Sequence, residues 1–133
     1  MKLKTIVIST FVLSLTAASA QASVVKRFTD REICKAGLAM ALNKSPQLIN
    51  AVGVTGANIF LAEKSRNRDD WEYRCEVNKE TIQLDARNNK RKDVLIDGII
   101  TYNINKSKKV IEVKKKRKGT GINRKIYRLN ELN

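Results

Sequence analysis

Two cysteines, Cys34 and Cys75, restrict the possible folds of this chain more than any other feature. Whether they can bond depends on the compartment, and the first residues bear on that. Met1-Lys2-Leu3-Lys4 supplies charge, Thr5 to Thr16 a mostly apolar run, and Ala17-Ala18-Ser19-Ala20-Gln21-Ala22 a small-residue stretch. This is the three-part layout of a secretory signal peptide. Two A-x-A frames place cleavage after Ala20 or Ala22, with Ala20 preferred. A retained membrane anchor is the competing reading. Spanning takes about 20 predominantly apolar residues, and this run is shorter and interrupted by Ser and Thr. The expected destination is the periplasm or the medium, where an isolated cysteine pair in a small domain forms a disulfide. Closing a loop of about 40 residues contributes roughly 4 kcal/mol in the chain-entropy model. A redox or metal site is the alternative, but the separation is not C-x-x-C and the chain has no histidine to complete a zinc site.

With residues 1–20 removed, residues 21–133 are expected to form one small domain with a single modest core and no transmembrane segment. The missing histidine excludes Ser-His-Asp and Cys-His nucleophilic systems, histidine acid–base catalysis and most catalytic zinc. Paired cysteines leave no thiolate nucleophile. No catalytic residue, metal or cofactor is therefore expected. The enzymatic alternative is a histidine-free hydrolase, a nuclease or glycan hydrolase using Asp70 and Glu72. Adjacent carboxylates on an extended chain diverge, however, so Asp69-Asp70 reads more simply as a charged turn. Glu72, Arg74 and Glu76 share one strand face, where cross-strand salt pairing accounts for them. Gly119-Thr120-Gly121 lacks the G-x-x-x-x-G-K-[ST] pattern of a phosphate loop and is read as a hairpin loop.

Thr29-Asp30-Arg31-Glu32 has the pattern of a capping box, with Phe28 and Ile33 at the hydrophobic-staple positions. The helix it opens is expected to run to about Leu42 and stop at Asn43. Its apolar side comprises Ile33, Cys34, Leu38, Ala41 and Leu42. Ser45-Pro46 then opens at most one further turn. From Ala51 the hydrophobic period changes to two. Strands are expected at Ala51–Val54 and Asn58–Glu63, and again where Trp71, Tyr73, Cys75 and Val77 alternate with charged residues. Thr81–Ala86, Ile99–Ile104, Lys109–Lys115 and Ile122–Leu129 follow, with a charged Arg87–Asp93 loop before a short Val94–Ile96 segment. The expected fold class is α+β: one N-terminal helix packed on an antiparallel meander of about six or seven strands, stapled by one disulfide.

Ile33-Cys34-Lys35-Ala36 opening a helix, Pro46 after it, and Trp71-x-Tyr73-Arg74-Cys75 on a strand resemble a group of small exported bacterial proteins to which no activity is assigned. The similarity covers most of residues 21–133. It implies the same disulfide and the same helix-plus-sheet layout, and no catalytic residues. Those proteins tend to carry Gly-Arg-Trp after the second cysteine, where this chain has the Asn89-Lys90-Arg91 region; they also lack the lysine-rich tail.

That tail carries the functional signal. Between Lys106 and Arg128 stand eleven basic residues and one acid, Glu112. Without Lys2 and Lys4 the chain has 25 basic and 13 acidic residues, so this stretch contributes +10 of a net +12. Concentrated charge implies an anionic partner more than a high isoelectric point does. On a strand, Lys114, Lys116 and Lys118 project to one side at intervals of roughly 6–7 Å. The candidate anion-binding set is Lys114, Lys115, Lys116, Arg117, Lys118, Arg124, Lys125 and Arg128. Only Tyr102 and Tyr127 are near enough to stack on bases, so sequence-specific nucleic-acid readout is not expected. The competing bland reading is a solvated edge whose lysines block aggregation. The expected function is an exported, non-enzymatic binding protein that contacts an anionic partner through a basic C-terminal hairpin. The alternative is an envelope inhibitor or immunity-type module that blocks an acidic protein effector; like-signed surfaces argue against a cationic target.

Overall fold

Helix α1 spans Asp30–Leu42. At its start the Thr29 backbone N–H donates to Glu32 Oε2 at 2.8 Å, which is the returning half of the capping box. Its end is a Schellman motif. Asn43 sits at φ 53°, its N–H donates to Met40 O at 3.2 Å, and the Lys44 N–H donates to Ala39 O at 3.0 Å. The computed structural model describes residues 28–64, 71–87, 96, 98–117 and 121–133, with Trp71 and Arg117 described by backbone alone. The expected signal peptide (1–20), Asp69, Asp70, Lys118 and most of the Arg87–Ile96 stretch lie outside the described residues.

After a 3₁₀ turn at Pro46–Leu48, seven strands follow. They are β1 (Ile49–Thr55), β2 (Asn58–Glu63), β3 (Trp71–Val77), β4 (Thr81–Ala86), β5 (Ile99–Asn105), β6 (Val110–Arg117) and β7 (Gly121–Arg128). They form one antiparallel sheet in sequence order, β1 through β7, so the meander and the α+β class are as the sequence implies. The chain closes with a short helix α2, Leu129–Leu132, where an extension of β7 to Leu129 was expected. Leu129 and Leu132, three residues apart, are both buried. Lys35 Nζ donates to Leu132 O at 3.2 Å, which satisfies a carbonyl at that helix end.

The helix is enclosed more completely than one apolar side allows. Ala36 to Leu42 are all buried, including Gly37, Ala39 and Met40, which the helical stripe omits. Seven consecutive residues run through almost two turns, so something must cover every side of the helix. The sheet does much of this, since α1 contacts each of the seven strands as well as α2 and the 3₁₀ turn. Strands spaced about 4.8 Å apart surround a helix in this way only by curling around it. Gly37 permits a close approach: a Cβ there would stand 2.9 Å from Ile82 Cδ1 on β4.

Cys34 and Cys75 are bonded and fully buried, with Cα atoms 6.0 Å apart, so the disulfide ties α1 to the middle of β3. The inward positions of the strands are largely those the period of two implies: Tyr73, Cys75, Ile82 and Leu84 are buried. In β1 a bulge between Ala51 and Gly53 shifts the register, so Ala51 and Val54 both oppose inward residues of β2, Leu61 and Ile59. Pairing is shortest between β4 and β5, where the register couples only Thr81 with Thr101 and Ile82 with Ile100.

Candidate functional site

The basic hairpin is β6 followed by β7, and its geometry separates the six candidate cations whose side chains are described. Side chains alternate across a strand. Ile111, Val113 and Lys115 of β6 face the core and are fully buried, whereas Lys114 and Lys116 are exposed on the outer face. Lys115 therefore departs from the expected anion-binding set: its parity places it under the sheet. Its Cε lies 3.5 Å from where a Cβ on Gly98 would stand. Gly98 itself has φ 117°, a conformation that favours glycine, and a Cβ there would also stand a tight 3.1 Å from Lys116 O.

On β7 the outer positions are Ile122, Arg124, Ile126 and Arg128, with Tyr127 inward and buried. Register sets Lys116 opposite Ile122, Lys114 opposite Arg124, and Glu112 opposite Ile126. On the other side of β6, Lys116 meets Ile99 and Lys114 meets Thr101 of β5. Three-strand rows result: Ile99–Lys116–Ile122, then Thr101–Lys114–Arg124, then Asn103–Glu112–Ile126. Lys125 has the opposite strand parity from Lys114 and Lys116 but is exposed, and its Nζ donates to Oδ1 of Asn43, the residue that terminates α1, at 3.0 Å. A cation there also complements the negative end of the helix dipole. Arg117 is described by backbone only, and Lys118 lies outside the described residues.

Glu112 takes Lys114 at 3.0 Å and Arg124 at 2.7 Å. The Lys114 hydrogen bond first, and the Arg124 charge with it, hold the Glu112 carboxyl below its usual range against the opposing effect of desolvation. No ion pair among the described residues engages Lys116 or Arg128. Among the described strand residues the outer face of β5–β7 thus carries four cations and one carboxylate, and Lys116 and Arg128 have no ion-pair partner there.

The face also carries what the charge count does not reveal. Ile99, Ile122 and Ile126 are exposed at 67%, 64% and 54%. The signal for two of them was present in the alternation Ile122-x-Arg124-x-Ile126-x-Arg128, once Tyr127 is assigned inward. Neither nearby tyrosine is on this face. Tyr102 is half-buried and its hydroxyl donates to Asn78 O at 2.7 Å, and burial pushes the Tyr127 phenol up to about 12.

The other half of the sheet differs in its charge pairing, although Val52 and Val54 of β1 are also exposed. Arg74 pairs with Asp85 at 2.6 Å and Arg87 with Glu72 at 3.0 Å on the outer face of β3 and β4, as the strand-face reading expects. Arg87 also lies over the Phe60 ring at 4.6 Å. Glu72, the described member of the candidate hydrolytic pair, is thereby held by a surface arginine. The concavity on the basic face is an open cleft lined by Arg124, Arg128 and Lys108, but also by Glu112 and Glu131. No family model, curated protein or solved structure matches the chain.

Proposed function

We propose that the chain is an exported, non-enzymatic binding protein that meets an anionic surface with the outer face of β5–β7. The observation that carries this reading is the arrangement of Lys114, Lys116, Arg124 and Arg128 on one side of a paired hairpin. Strand pairing fixes their spacing, so binding orders little backbone and the entropic cost of association is reduced. Export is supported by the lysine-flanked apolar run at the start of the sequence and by a disulfide suited to an oxidising compartment. The open cleft, with carboxylates among its cations, suits an extended partner better than an enclosed small molecule.

The test is retention on immobilised heparin, a generic polyanion, across a salt series. The chain should bind at low salt and lose affinity steeply as counterions compete. A variant with Lys114→Gln, Lys116→Gln, Arg124→Gln and Arg128→Gln should elute at clearly lower salt with a shallower slope. Unchanged elution by that folded variant overturns the reading. A single acidic protein recovered from envelope extracts in one-to-one stoichiometry would replace it with the inhibitor alternative.

A further inference from the structure

Charge alone does not account for the outer face of β5–β7, because three of its exposed positions are isoleucines. Ile99 and Ile122 flank Lys116 in one cross-strand row, and Ile126 flanks Glu112 two rows away. Along β7 the sequence of outward side chains is isoleucine, arginine, isoleucine, arginine, all exposed. A soluble polyanion offers such isoleucines nothing to bury against. A protein partner typically buries a contiguous apolar centre inside a polar rim, whereas here a cation separates each apolar side chain from the next.

We infer that the anionic partner is a lipid bilayer surface bearing phosphate head groups, and that Ile99, Ile122 and Ile126 enter its interfacial layer while Lys114, Lys116, Arg124 and Arg128 hold the phosphates. This rests on the anionic-surface reading and gives it a specific partner. The head-group region accepts dispersed apolar side chains, because lysine and arginine reach past them along their own methylene stems to the charged layer. Electrostatic attraction to anionic lipid and apolar burial then act together, and two such contributions are what reversible surface attachment needs. Charge complementarity agrees: among the described strand residues the face carries four cations to one acid, and residues 21–133 have a net charge of +12. No helix among the described residues is long and apolar enough to cross a membrane, so the contact proposed is a peripheral one.

The experiment uses the disulfide-bonded protein with two probes: vesicles of equal parts phosphatidylglycerol and phosphatidylcholine, and heparin. An Ile99→Ser, Ile122→Ser, Ile126→Ser variant should partition onto the vesicles at least about tenfold more weakly while its heparin elution stays unchanged. Vesicle binding equal to that of the parent chain overturns the lipid inference and leaves the anionic-surface reading standing. The four-glutamine variant should lose both probes; if it loses neither, the anionic-surface reading fails and the inference fails with it. A second variant guards against misfolding of the first. Ile122→Trp should give blue-shifted emission on anionic vesicles that is quenched by brominated lipid, and emission unaltered by vesicles contradicts insertion.

Discussion

Tyr127 shows how one residue's burial becomes a measurable property. It faces the core from β7 at 6% exposure, and its hydroxyl has no hydrogen-bond partner among the described residues. Desolvation first, and the Glu131 charge after it, push the phenol up to about 12. An unfolded tyrosine titrates near 10, so the folded form holds its proton more tightly. The stability this contributes is complete below about pH 10 and is lost as pH rises through about 12. A Tyr127→Phe chain should therefore lose less stability than the parent between pH 10 and 12, as measured by urea denaturation. Near pH 7 it should be as stable or slightly more so, because the substitution removes a buried hydroxyl that lacks a partner. Parallel pH profiles for the two chains would refute the burial argument. Lys115 teaches the complementary lesson. In sequence it is one lysine among five consecutive basic residues, and only strand parity reveals that it lies beneath the sheet while Lys114 and Lys116 lie above it.

Among the elements, α1 and its link to β3 hold the fold together. Removing the link with Cys34→Ala and Cys75→Ala should lower unfolding stability by about 4 kcal/mol, read from the urea midpoint, and the parent chain with reductant should behave similarly. A loss below about 1 kcal/mol would mean the enclosed helix is held by packing alone. Much of this element pattern was legible beforehand, since local chemistry sets it. Thr29 and Glu32 mark the helix start, Asn43 its end, and alternation marks β3 and β4. What was not legible depends on long-range closure. The burial of Ala36, Gly37, Ala39 and Met40 follows from strands arriving on every side, and a stripe of period 3.6 cannot register that. The α2 turn was missed because four residues carry too little periodicity to stand out from a strand end.

At the scale of the whole molecule, the sheet divides its charge unevenly. On β3 and β4 acids and bases neutralise one another, Glu72 with Arg87 and Arg74 with Asp85. On β5–β7 the cations outnumber Glu112 and stand beside exposed isoleucines. The basic half of the candidate site was visible in the Lys106–Arg128 run. The apolar half was legible only for Ile122 and Ile126, which alternate with Arg124 and Arg128; Ile99 reads as core until register assigns it a face. The two halves predict a fixed orientation at a membrane, with β5–β7 toward the lipid and α1 enclosed behind the sheet. The most direct test is paramagnetic relaxation of backbone amides by spin-labelled lipid head groups in anionic bicelles. Broadening should concentrate at Ile99, Thr101, Lys114, Lys116, Ile122, Arg124 and Ile126 and spare β1 to β4. Broadening centred on β1 and β2, or spread evenly over the sheet, would contradict the assignment of this face as the contact surface.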